Sequence, residues 1–253
     1  MRGCQFLQCL QVGLGDDTSA KGRWSSDHCH ADEKHGPGRQ DAQGMALMSS
    51  MLRIGLTGGI ASGKSTVCGM LQDRGCTIVD ADEVAHQLLL KGQPCFSRVL
   101  EAFGVEILDS AGEIDRNRLG AIVFENRPLL QRLEGIVHPE VIRQILAKLD
   151  ILEKEQPHGK VVVDASLMIE SGFYKSFKRL VVVTCRLEQQ LERLITRNGL
   201  SEIQARRRIS IQMPLEQKLG FADYVIDNSG SLENTRGQVD ALLTEWSSSS
   251  WTM

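Results

Sequence analysis

The sequence predicts a three-layer α/β fold, in which a five-stranded parallel sheet lies between layers of helices. Three observations carry this expectation. Leu52 to Thr57 is an apolar run that breaks into glycines and gives way to a helical pattern. Lys160 to Asp164 (KVVVD) and Leu180 to Thr184 (LVVVT) are short, valine-rich runs of the kind found in central strands buried on both faces. Strand patterns also alternate with helical ones from residue 51 onward, as parallel pairing requires, because each crossover consumes a dozen or more residues.

Taken in order, Leu52 to Thr57 is the first strand and Lys64 to Arg74 a helix stopped by Gly75. Cys76 to Val79 is the second strand, with Asp80-Ala81-Asp82 at its carboxyl end. From Glu83 to Gln156 the pattern is helical: Glu83 to Lys91, Pro94 to Phe103, Arg116 to Asn126, and Pro128 onward. Pro139 disfavours helical geometry at His138, so a kink or a fresh helix start is expected there. The two valine-rich strands follow, separated by a loop. Leu187 to Arg197 is helical and ends at Asn198-Gly199, Ser201 to Gln212 is helical again, and Gly220 stops the segment after Pro214. Tyr224 to Ile226 is the last strand, and Leu232 to Trp246 an amphipathic closing helix.

Residues 1 to about 50 differ in character: glycines lie scattered among polar residues without helical or strand period, as in a disordered extension. Its opening lacks the uninterrupted apolar stretch and small-residue cleavage site of a signal peptide. Asp27-His28-Cys29-His30 with His35 invites a metal reading, but a zinc centre needs four ligands on a folded frame and this tract offers one cysteine. Met45, Met48 and Met51 instead suggest that the working protein begins at Met51. The expected domain is then 51–250. Its core is 51–82, 159–198 and 220–246, with a helical insertion at 83–158 and a lid at 199–219.

Bulk properties narrow the class. The chain has 253 residues, 42% of them hydrophobic and 24% charged, the balance of a globular protein able to bury a core. A formal charge of -3 argues against a nucleic-acid binder driven by bulk electrostatics, and no apolar run reaches the ~20 residues of a membrane span. Seven cysteines, an odd number without a C-x-x-C pair, favour a reducing compartment, hence the cytoplasm.

Chemistry concentrates at one stretch. Gly58-Gly59-Ile60-Ala61-Ser62-Gly63-Lys64-Ser65, followed by Thr66, fits G-x-x-x-x-G-K-[ST], the phosphate-binding loop of P-loop NTPases, with the strand before and helix after that the motif requires. Glycines let successive N–H groups turn inward as an anion nest, and the helix start adds unpaired donors. Lys64 is placed to reach the β- and γ-phosphates, and Ser65 to complete the coordination of Mg²⁺. Asp80 and Asp82 belong to the same sheet edge. They would either accept a hydroxyl proton and orient hydrated Mg²⁺, or cap the next helix. Asp164, after three valines, would either hold Mg²⁺ through water or cap its loop. Arg197 and Arg206-Arg207-Arg208 fall where a mobile segment would cover phosphates. A guanidinium fork suits the charge of a phosphoryl group in transfer, although an arginine run on a helix is commonly a solvated face.

With those residues in place, Met51 to about Trp246 resembles the dephospho-coenzyme A kinase family. The resemblance rests on GLTGGIASGKST (Gly55 to Thr66), VDADEVAH (Val79 to His86), His138-Pro139, and above all QMPLEQKLGFADYVIDNSG (Gln212 to Gly230). It implies a nucleoside-monophosphate-kinase-like P-loop fold and transfer of a phosphoryl group from ATP to the 3′-hydroxyl of dephospho-CoA, with no nucleic-acid or membrane partner. By the same resemblance Ala61 to Thr66 hold the ATP phosphates, Asp82 is the base and Arg197 a lid arginine, and Asn228 lies near adenine. The chain departs from the family at Asp164 to Glu170, where Ser166 replaces a common proline and Met168 a leucine. The rival within the fold is another small-molecule kinase, for nucleotides or shikimate-like acceptors. A nucleotide-dependent switch or transport ATPase lacks support, since neither N-K-x-D nor L-S-G-G-Q occurs.

Overall fold

A computed structural model describes residues 51–124 and 126–248, so the His/Cys tract and the rest of the amino-terminal stretch lie outside the described residues. Five strands form one sheet: β1 (Leu52–Gly58), β2 (Thr77–Asp80), β3 (Lys160–Asp164), β4 (Arg179–Thr184) and β5 (Tyr224–Asp227). They are all parallel, in the order β2-β3-β1-β4-β5. The five strands read from the sequence are these five, with ends differing by one residue or so.

Parallel pairing buries both faces, and the strand residues divide accordingly. Along β3, Val161 and Val163 face one core and Val162 the other. The first core is completed by α2 (Ala81–Leu88), α3 (Pro94–Phe103), α4 (Arg116–Phe124) and α5 (Arg127–Glu155). The second is completed by α1 (Lys64–Gln72) and the final helix α9 (Leu232–Ser248), whose Val239, Leu242 and Trp246 pack on Ile54, Val181 and Ile226. Between β4 and β5 lie α6 (Leu187–Asn198), α7 (Glu202–Ser210) and the short α8 (Leu215–Leu219). Ala205 of α7 meets Leu191 and Leu194 of α6 and Ile60 of the glycine loop in a small cluster of its own. Two 3₁₀ turns, Val105–Ile107 and Phe173–Ser176, have no counterpart in the sequence pattern.

Of the two alternatives expected at His138-Pro139, the fresh helix start is absent: α5 runs 29 residues through Pro139. The reason is the phase of its apolar stripe. Leu133, Val137, Val141, Ile145 and Leu149 recur every fourth residue and are all buried, so the stripe continues across the proline, which is exposed on another face. Packing of that stripe outweighs the lost N–H of Pro139 to the Gly135 carbonyl. Asn126 caps the start by accepting from Leu129 N, and Arg53 of β1 holds the far end through Asp150 (2.8 Å) and Glu153 (2.6 Å).

Because all strands run one way, Gly58, Asp80, Asp164, Thr184 and Asp227 end at a single sheet edge, and Asp80 is in register with Asp164. Ligand sites in open parallel sheets form at this edge.

Candidate active site

The loop from Gly58 to Lys64 leaves β1 and enters α1 through a backbone with two left-handed residues, Ala61 (φ 56°) and Gly63 (φ 95°). A side chain at Gly63 would put a Cβ 1.9 Å from Asn228 Nδ2, and one at Gly58 would meet the Val183 carbonyl at 2.4 Å, so both positions need glycine. Two of the loop's carbonyls are held by side chains. Arg193 Nη1 donates to Ala61 O (3.1 Å), Cys185 Sγ approaches the same oxygen at 3.8 Å, and Asn228 Nδ2 donates to Ser62 O (2.9 Å). Asn228 is itself fixed, its Oδ1 accepting from Thr235 Oγ1 and its carbonyl from Arg193 Nη2. With the carbonyls turned away, the unpaired amides at the start of α1 are left for an anion.

Beside the loop lies a pocket of about 620 Å³, walled by Ala61 to Thr66, by Gln189, Arg193 and Arg197 of α6, and by Asn228, Gly230 and Leu232. It gathers Ala61, Ser62, Gly63, Lys64, Ser65, Thr66, Arg197 and Asn228 from the residues singled out in the sequence. Gly58, Gly59 and Ile60 are not on its wall: Gly58 abuts the Val183 carbonyl, Gly59 packs on Gln190, and the Ile60 N–H is already engaged by Gln212.

Asp82 and Asp164 also lie off that wall, buried among charges. Lys64, Asp82 and Asp164 are 5%, 3% and 7% exposed, and one oxygen each of Asp82 and Asp164 finds no hydrogen-bond partner among the described residues. Burial, opposed by the Lys64 ammonium and reinforced by Asp80 and Asp164, pushes the Asp82 carboxyl up to about 7. Asp164 is raised too, again by burial first, with Lys64 opposing. Asp80 does something different. Its Oδ1 accepts from Asp82 N (2.8 Å) and Glu83 N (3.2 Å), capping α2 and so aiming Asp82 from its first turn. A small cavity of about 30 Å³ is lined by Ala81 and Ala165, the chain neighbours of Asp82 and Asp164, and by His138 and Phe173 among others. Burial lowers the pKa of His138 there, favouring a neutral imidazole.

This arrangement can hold a polyphosphate, and it sets two buried carboxylates within electrostatic reach of the Lys64 ammonium on the pocket wall. Residues 52–234 match the family model described as dephospho-CoA kinase. The chain belongs to the dephospho-CoA kinase family. A dephospho-CoA kinase from Carboxydothermus hydrogenoformans is 46% identical over 198 residues, covering 78% of this chain and 96% of that protein. Among solved structures, TT1252 from Thermus thermophilus superposes with a TM-score of 0.67 at 32% identity, covering 78% of this chain and 98% of the other. The dephospho-CoA kinase from Campylobacter jejuni gives 0.53 at 29% identity, covering 76% and 96%.

Among dephospho-CoA kinase features expected from the sequence, the segment after β3 is held by contacts of its own. Ser166 places its carbonyl between Thr57 Oγ1 (3.2 Å) and Lys218 Nζ (3.1 Å). Lys218 is fully buried and pairs with Glu170 at 2.8 Å; burial lowers its pKa and Glu170 opposes that. Glu170 therefore anchors the loop. Sequence reasoning passed over Arg193, Gln212, Lys218 and Thr235. Arg193 was findable, since it stands four residues before Arg197 and shares its helix face. Gln212 and Lys218 lie within the Gln212 to Gly230 signature, but the signature does not report their partners, which the tertiary fold sets; Thr235 gave no local signal.

Proposed function

We propose that this chain transfers the γ-phosphoryl group of ATP to the 3′-hydroxyl of the dephospho-CoA ribose, releasing CoA and ADP. The observation that carries the reading is the phosphate loop with its carbonyls tied back, beside a buried Lys64, Asp82 and Asp164. Ala61 to Thr66 hold the phosphates, chiefly through the amides of Gly63, Lys64 and Ser65, since those of Ser62 and Thr66 donate to the Gly59 and Gly63 carbonyls, and Lys64 lies on the β- and γ-phosphates. Arg197, on the pocket wall, meets the group in transfer, and Asn228 borders the adenine. Asp82 accepts the 3′-hydroxyl proton as the new O–P bond forms and the bond to the β-phosphate oxygen breaks. A carboxyl with its pKa near 7 suits that role, since it both loses and regains a proton easily at neutral pH. Most of the acceleration comes from holding the in-line geometry.

Mg²⁺ fits the site: the unpartnered buried oxygen of Asp164 is a hard donor, and Ser65 presents a hydroxyl at the pocket. Ser65 would ligate it directly and Asp164 through water. When bound, the ion neutralises charge on the phosphates. Among the described residues no three His, Cys, Asp or Glu side chains cluster to hold a metal alone, so the phosphates would share it. The helices at 83–158 form the acceptor side, residues 199–219 the lid, and the four described cysteines, all free, suit the cytoplasm. No described helix is long and apolar enough to cross a membrane. The test is ATP-dependent phosphorylation across an acceptor panel. Dephospho-CoA is expected to be the preferred acceptor; turnover of a nucleoside monophosphate or shikimate with none of dephospho-CoA overturns the reading.

A further inference from the structure

Gln212 is a buried polar side chain, 7% exposed, to which the chemistry above gives no role. Its Oε1 accepts the Ile60 N–H at 2.7 Å, across 152 residues of chain. That amide belongs to the residue just before Ala61, the left-handed position whose carbonyl Arg193 holds. The two contacts grip consecutive residues of the loop from opposite ends, one at an N–H and one at a C=O. A non-glycine residue in the left-handed region is strained, so such a conformation persists when its neighbours over-determine it. Gln212 also sits two residues beyond α7, and the next amide, Met213 N, donates to Glu170 Oε1 at 3.4 Å. Ala205, seven residues earlier, presses on Ile60 from the same side. The exit of α7 is thereby tied both to the phosphate loop and to the loop after β3.

We infer that Gln212 is a positioning residue, whose neutral carboxamide sets the phosphate loop in its ATP-binding shape and couples α7 to it. A carboxamide is the right chemistry. It supplies a strong acceptor without the negative charge that a carboxylate would place beside a triphosphate. The inference rests on the reading that the loop binds ATP.

Two variants of similar volume separate the components. Gln212→Met removes the acceptor, and Gln212→Glu keeps it while adding charge. ATP affinity is measured by titration calorimetry, and KM for each substrate in the phosphorylation assay. Gln212→Met should weaken ATP binding about tenfold, the scale of one buried hydrogen bond. Gln212→Glu should weaken it at least as much, with part of the loss recovered at high salt. KM for dephospho-CoA should move less than twofold in both. ATP affinity within twofold of wild type in both variants overturns the proposal, as does a lowered melting temperature with unchanged KM for ATP. If Gln212→Met does not fold, Gln212→Glu decides alone. Wild-type protein that fails to bind ATP would instead defeat the functional reading.

Discussion

Asp82 answers to two demands that pull in opposite directions. In the proposed role of base it must ionise, yet it lies in a site where burial holds its carboxyl up to about 7, against 3.8 when unfolded. The folded state therefore keeps a proton that the unfolded chain releases, and stability of the ligand-free protein should fall as pH rises from about 4 to 7, then level off. Three pH units correspond to on the order of 4 kcal/mol, which urea titrations across that range would detect. Asp82→Asn removes the conflict: kcat should fall by about 10²-fold or more, while the melting temperature at pH 8 rises and ATP still binds. Near-normal turnover would remove Asp82 from the role of base. Wild-type kcat should climb with pH around neutrality, and a flat profile from pH 5 to 8 would argue that another group takes the proton. Of this logic the sequence displayed the residue types and their place at a strand end. The burial that shifts Asp82 depends on α5 and the loop after β3, and no local pattern reports it.

Secondary-structure elements were most legible where one local force dominates. Valine runs announced β3 and β4, and the glycine-lysine loop announced the turn from β1 into α1. Misreading came where local and tertiary forces compete, as at Pro139, whose local signal is disruptive and whose helix survives on a buried stripe of five residues. Since Pro139 is exposed, Pro139→Ala loses no packing and restores the N–H donor to the Gly135 carbonyl. It should stabilise the protein by about 1 kcal/mol or more, seen as a higher melting temperature with unchanged KM for both substrates. A lower melting temperature would mean that the ring stiffens the unfolded chain more than it perturbs the helix.

For the molecule as a whole, both cores among the described residues lie between Met51 and Trp246, each of these end residues being almost fully buried. A protein starting at Met51 should therefore fold, and phosphorylate dephospho-CoA, as the full chain does; a loss of several degrees in melting temperature or of most activity would show that the first 50 residues contribute. The strand order was not legible, because pairing β1 with both β3 and β4 is a matter of contacts more than 100 residues apart. That order has a consequence for synthesis on the ribosome. The loop that receives the triphosphate is made among the first residues of the domain, but the Asn228 side chain that orients it arrives at the end of β5. Until the last strand has emerged and inserted at the sheet edge, a nascent chain has the motif without the shape. Nucleotide affinity should then switch on late and all at once, reporting completion of the fold rather than its beginning.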